Sequence, residues 1–167
     1  MHIVIDGYNL IGSVNGLRGN LEAQRRHLLS QLQQYEATKG HTVTVVFDGW
    51  RSGWVNKVKE THERVNVIYS RQGEKADDVV ARLAREMGSG CVVVSSDREV
   101  RRAAEAVGAV AVYAGGFSAR LRGIESGILF KEEDRAEFSD SAPKEKRGNP
   151  RRLSKTERKR RERLKKL

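Results

Sequence analysis

His2-Ile3-Val4-Ile5-Asp6-Gly7-Tyr8-Asn9 opens the chain, and its reading decides the fold: a short apolar run stops abruptly at a carboxylate and a glycine. A run of this length, apolar on both faces, fits a strand buried in a parallel sheet, where helices cover either side. Moving outward, residues 42–48, 65–69, 91–95 and 109–113 repeat the pattern, each rich in Val, Ile or Ala. Helical periodicity fills most of the gaps, so the chain reads as βαβ units forming a mainly parallel five-stranded sheet.

The helices are legible from their faces and ends. Asn20 can cap a helix presenting Leu21, Leu28, Leu29 and Leu32, which ends before Gly40. Ala76, Val79, Val80, Leu83, Ala84 and Met87 follow helical spacing up to Gly88. A third helix starts at Asp97 with Val100, Ala103, Ala104 and Val107 on one face, and a weaker fourth covers residues 118–124. Residues 51–64, beside Trp50 and Trp54, show no clean period and read as an irregular excursion above the sheet edge.

Residues 1–143 carry equal numbers of acidic and basic side chains, so the whole formal excess of +10 falls beyond them. The expected organisation is a folded body over residues 1–130, a polar linker over 131–150 holding both prolines, and a basic tail over 151–167. Ser154-Lys155-Thr156-Glu157 matches a capping box, and Glu157/Arg161 and Glu162/Lys166 are helix-supporting pairs, so the tail is expected to be helical. Arg151, Arg152, Lys155, Arg158, Lys159, Arg160 and Arg161 suit a polyanion, because neutralised phosphates release counterions without any sequence readout. Leu153, Leu164 and Leu167 make too thin an apolar face for a membrane helix.

Cys91 is the only cysteine, which rules out an intrachain disulfide or a cysteine-based zinc site. The start of the chain has neither a basic leader nor a long apolar stretch, so a cytoplasmic protein is expected. Aromatic residues are only 6% of the chain, which argues against a stacking platform of several rings. The histidines, His2, His27, His41 and His62, lack metal-ligand spacing, and the exposed helix faces give no dimer seam.

Asp6, Asp48 and Asp97 fall at or just past the carboxyl ends of strands, the edge where open α/β sheets bind ligands. Asp77 reaches the same edge from the start of a helix. Two such carboxylates about 5 Å apart repel by roughly 3 kcal/mol at an effective dielectric near 20, so the cluster needs a cation or a shared proton. An all-oxygen donor set favours Mg²⁺ or Mn²⁺, suited to polarising a phosphoryl oxygen and activating water. Each residue also has a plain structural reading. Asp6-Gly7 and Asp48-Gly49 are turn formers, Asp97 is a helix cap in competition with the Ser96 to Glu99 box, and Asp77 or Asp78 complements a helix dipole. Their coincidence on one edge favours the metal site. Asn9 could orient a ligating carboxylate, Arg51 and Arg71 could meet phosphate oxygens, and Tyr8 could stack on a base or pack beneath its loop.

Taken in order, Ile3-Val4-Ile5-Asp6-Gly7-Tyr8-Asn9, Val45-Val46-Phe47-Asp48-Gly49, Ala76-Asp77-Asp78 and Val93-Val94-Ser95-Ser96-Asp97 resemble the NYN domain of the YacP-like family within the PIN-like nucleases. The resemblance covers about residues 1–125 and leaves the tail outside. It implies a three-layer PIN-like sandwich and a Mg²⁺ or Mn²⁺ endoribonuclease that can act on mRNA at the ribosome, leaving 5′-phosphate and 3′-hydroxyl ends. By position it makes Asp6, Asp77 and Asp97 the acidic ligands, joins Asn9 to the first motif, and adds Asp48 as a further candidate ligand. Lys75 stands where similar sequences would carry a threonine. Two other functions were open at this level: an RNA- or ribosome-binding module without catalysis, and a phosphatase with a nucleophilic aspartate. The phosphatase wants a second aspartate two residues after the first, where Tyr8 stands.

Overall fold

The structure, a computed structural model, describes residues 1–49, 59–62, 64–126 and 155–167. Its sheet has the order β3-β4-β2-β1-β5-β6. β1 (His2–Asp6), β2 (Thr42–Phe47), β4 (Val65–Tyr69), β5 (Cys91–Val94) and β6 (Val110–Val112) are mutually parallel, as the apolar runs foretold. β3 (Lys59–His62) adds an antiparallel edge strand inside the stretch read as irregular. Its sequence, Lys-Glu-Thr-His, has no apolar run to announce it; pairing with β4 makes it a strand. Residues 50–58 and 63, including Trp50 and Trp54, lie outside the described residues.

Strand alternation sorts the side chains into two layers. Val4, Val46, Ile68 and Val93 point to the face covered by α3 (Ala76–Met87) and α4 (Arg98–Ala106), where they meet Val79, Val80, Ala84, Val100 and Ala104. The opposite face is covered by α1 (Gly7–Asn15), α2 (Leu21–Lys39) and α5 (Ala114–Glu125). There α2 buries Leu28, Leu29, Leu32 and Tyr35, and the Tyr35 ring meets Phe117 of α5 edge-on at 5.2 Å. Helices on both sides of the sheet give the expected three-layer sandwich.

The helix ends follow the sequence signals closely. Asn20 caps α2 by accepting from the Ala23 N–H, and Gly40 ends it in the left-handed conformation at φ 66°. α5 begins at Ala114, four residues before the expected start, because Ala114 and Phe117 are both buried while Gly115 and Gly116 weaken the pattern. α1 is a helix that the sequence pattern does not announce. Gly7 can start that helix against the sheet because it lacks a side chain: a Cβ there would lie 2.2 Å from Phe47 Cε1.

The contacts divide the chain into Met1–Phe130 and Lys131–Leu167. Within the second unit, Lys155–Lys166 forms α6, the helix that the capping box and charge pairs foretold. No helix among the described residues is long and apolar enough to cross a membrane.

Candidate active site

Strand order places the site. The chain starts at β1 in the middle of the sheet, runs through β2 to β4, and then crosses back to β5 on the other side of β1. The order therefore reverses between β1 and β5, and loops leaving their carboxyl ends splay apart there. Asp6 ends β1 on one side of this switch, and Ser95-Ser96-Asp97 follows β5 on the other.

Alternation then aims the carboxylates. Asp6 shares the parity of Val4 and Asp48 that of Val46, so both project toward the α3 face. α3 starts at that edge with Asp77 in its first turn. The Asp6 and Asp77 carboxyls come within hydrogen-bonding reach of each other. Asp6 is only 6% exposed. Burial raises its pKa from the ordinary carboxylate range to about 8, the Asn9 N–H pulls it partly back, and Asp77 and Asp48 raise it further. In the metal-free protein, burial therefore favours the protonated form of Asp6 at neutral pH.

Asp48 has a structural duty as well. Its Oδ1 accepts from the Ala76 N–H at 2.7 Å, closing the first turn of α3 from a different strand. Lys75, at the N-cap position, makes no side-chain capping bond. A threonine there could accept from an N–H later in the first turn; Asp48 serves a different group, the Ala76 N–H. Asp97 caps α4 by accepting from Glu99 N–H at 2.7 Å and Val100 N–H at 3.3 Å through Oδ1. Among the described residues, no hydrogen bond reaches its Oδ2. Asp78 is exposed on the outer side of the turn.

Asn9 ties the two sides of the switch. Its Oδ1 accepts from the Ser96 N–H at 2.7 Å, while its own N–H donates to Asp6 Oδ1 at 3.1 Å. Ser95, fully buried, accepts from the Asp97 N–H at 3.0 Å, and Ser70, also fully buried, accepts from the Gly49 N–H at 3.2 Å. These two serines fix the loops that carry Asp97 and Asp48; a serine directly after an apolar run was the unused sequence signal.

Tyr8 packs rather than stacks on a ligand: it is 3% exposed and meets Phe47 edge-on at 5.2 Å. The backbone that turns Asp6 into the site turns Tyr8 into the core. Arg71 is exposed just past β4. Arg51, Arg151 and Arg152 lie outside the described residues. Lys155, Arg158, Lys159, Arg160 and Arg161 all fall on α6, where Arg158 and Arg161 are exposed.

Among the described residues, no group of three or more His, Cys, Asp or Glu side chains is gathered as a ready metal cage. Asp48 and Asp97 are engaged at helix ends, leaving Asp6 and Asp77 as the close pair. That pair suits a hard divalent ion: its donors are all oxygen, and a cation offsets both the burial and the repulsion that raise the Asp6 pKa.

A parallel sheet wrapped by helices on both faces, with acidic side chains collected at its switch point, defines a PIN-like α/β protein. The model of the YacP-like NYN domain matches residues 3–166, and the chain belongs to that family. A curated relative, the uncharacterized protein YacP of Bacillus subtilis, is 33% identical over 91 residues, 52% of this chain. The match spans only about half of that relative, 53% of its length. A crystal structure of Rae1 (YacP) from Bacillus subtilis superposes with a TM-score of 0.62 at 29% identity, covering 77% of each chain. A mutant of it gives 0.63 at 28%, covering 75% of this chain and 77% of the other. The family match runs through α6, so the basic tail falls inside it, contrary to the narrower span drawn from the motifs. The family carries a nuclease-type, RNA-related function, and its PIN-like members generally use divalent metals.

Proposed function

We propose that this protein is a divalent-metal-dependent endoribonuclease of the cytoplasm that hydrolyses RNA phosphodiester bonds, with mRNA on the ribosome as its setting. The observation that carries the reading is the Asp6–Asp77 pair at the sheet's switch point, a buried carboxyl within hydrogen-bonding reach of a second, half-buried one. A fold gains nothing from placing two repelling carboxylates together at an open edge, unless a cation is to take the proton's place.

In this reading Asp6 and Asp77 hold Mg²⁺ or Mn²⁺, with Asp97 Oδ2 and Asp48 completing the acidic set. A bound ion would neutralise charge on the scissile phosphate and favour attack by water. Asn9 keeps the β5–α4 loop, and with it Asp97, in register with Asp6. Arg71, exposed just past β4, meets phosphates, and Arg51 is a second candidate for that role from its sequence position. Residues 1–130 form the nuclease body, 131–150 a linker, and 151–167 an arm whose charge gathers RNA.

The capping roles of Asp48 and Asp97 favour a second reading, an RNA- or ribosome-binding module that keeps the acids for structure. Labelled RNA incubated with the protein, with EDTA or with added Mn²⁺, separates the two. The nuclease reading expects cleavage only with metal, and its loss in Asp6→Asn and Asp77→Asn. Metal-independent or mutation-insensitive cleavage sinks it, and binding without cleavage, ribosomes included, moves the protein to the second reading.

A further inference from the structure

Among the described aromatic side chains, Tyr8, Tyr35, Phe47, Tyr69 and Phe117 are all buried, and Tyr113 alone is half exposed at 50%. It follows the last residue of β6 and stands at the N-cap position of α5, on the same carboxyl edge as the acids. Register fixes where along that edge. Ile5 pairs with Val94 and Val94 with Val112, so the next residues, Asp6, Ser95 and Tyr113, form one row. Two strand spacings separate Tyr113 from Asp6, about 10 Å.

The ring is held from within the protein. Arg101 of α4 sets its guanidinium carbon 5.5 Å from the ring centroid. Gly115 lets the ring settle so close that a Cβ there would lie 2.8 Å from Tyr113 Cε1. A half-exposed aromatic ring fixed in orientation beside a cationic side chain presents part of its surface outward. An exposed ring flanked by a guanidinium suits a nucleobase, since every base has a π-face and the charge attracts the adjoining phosphate.

We propose that Tyr113, steadied by Arg101 and Gly115, is the residue on which a base of single-stranded RNA stacks, positioning the strand along the edge toward Asp6. This rests on the ribonuclease reading for its ligand class, but it is a binding contact and can be tested without cleavage. It also accommodates the low aromatic content, because it needs one ring and not a platform.

The test uses the full chain and a short single-stranded RNA carrying 2-aminopurine, whose emission is quenched on stacking, first in EDTA and then with Mn²⁺. Wild type and Tyr113→Trp should quench the probe. Tyr113→Leu should lose the quenching and weaken binding by about 5- to 150-fold, the range expected for one base–aromatic stack. With Mn²⁺, the same variant should raise KM by a like factor and leave kcat nearly unchanged, a split that a folding defect would not produce. Wild-type quenching and affinity in Tyr113→Leu overturn the inference; if that variant still cleaves with metal, the nuclease reading survives. Tyr113-dependent quenching without cleavage in wild type does the reverse, keeping the stacking contact and removing the nuclease reading. No binding by wild type removes the contact.

Discussion

Asn9 Oδ1 accepts the Ser96 N–H at 2.7 Å, joining the first turn after β1 to the loop after β5 across the point where strand order reverses. Asn9→Ala leaves that part-buried N–H without its partner, so a loss of about 1–2 kcal/mol is expected in urea unfolding. Because the loop carries Asp97, activity should fall by more than the stability loss explains. Equal activity in the folded fraction of the variant would deny Asn9 any part in positioning.

Asp6 sets a pH dependence whose sign is fixed. Its folded-state pKa, raised to about 8 by burial and then by Asp77 and Asp48, lies above that of the unfolded chain. Between the ordinary carboxylate range and about pH 8, the folded protein holds a proton that the unfolded chain has released. Stability from this group is therefore complete at low pH and is lost as pH rises through that window. Melting of the metal-free protein in EDTA should show the decline, and Asp6→Asn should flatten it. A wild-type curve parallel to that of Asp6→Asn would remove the assignment.

Asp48 and Lys75 both bear on the start of α3: Asp48 accepts from the Ala76 N–H, and Lys75 leaves the N-cap position without a side-chain bond. Asp48→Ala should cost about 1 kcal/mol, and Lys75→Thr in that background should offset it by adding an ordinary N-cap to another N–H of the first turn, without restoring the Ala76 bond. Metal affinity separates the other duty of Asp48: calorimetric titration with Mn²⁺ should stay weakened in the double variant. Full recovery of both would make Asp48 a cap and nothing else.

Gly7→Ala forces a Cβ to within 2.2 Å of Phe47 Cε1, in a ring cluster where Phe47 also stacks on Tyr69 at 5.9 Å. Overpacking of this kind costs about 1–3 kcal/mol. Adding Phe47→Leu should relieve part of the penalty, so the double variant should be more stable than the two single losses summed. Strict additivity in denaturant titrations would place the strain elsewhere.

Removing residues 151–167 should weaken RNA binding and flatten its salt dependence, since the deleted segment carries ten Lys or Arg against two Glu. Filter binding at several salt concentrations measures both slopes. Identical slopes would leave the arm without a role in recruitment.

By itself the sequence determined the parallel strands, the α2, α3 and α4 boundaries and the charged tail helix, because these rest on local patterns. Apolar runs bury on both faces, Asn20 and Asp97 cap the helices they precede, and Gly40 can turn left-handed where α2 stops. It also brought Asp6, Asp48, Asp77 and Asp97 to one edge, since every βα unit delivers its strand end and helix start there. Tertiary structure decided how those four differ. Alternation and packing against α3 brought Asp6 to Asp77, the loop after β2 brought Asp48 onto the Ala76 N–H, and Asp97 turned one oxygen to its own helix. β3 became a strand only by pairing with β4, and Tyr8 entered the core only because Phe47 was there to receive it. Those outcomes depend on partners distant in the chain, and no local pattern carries the identity of a distant partner.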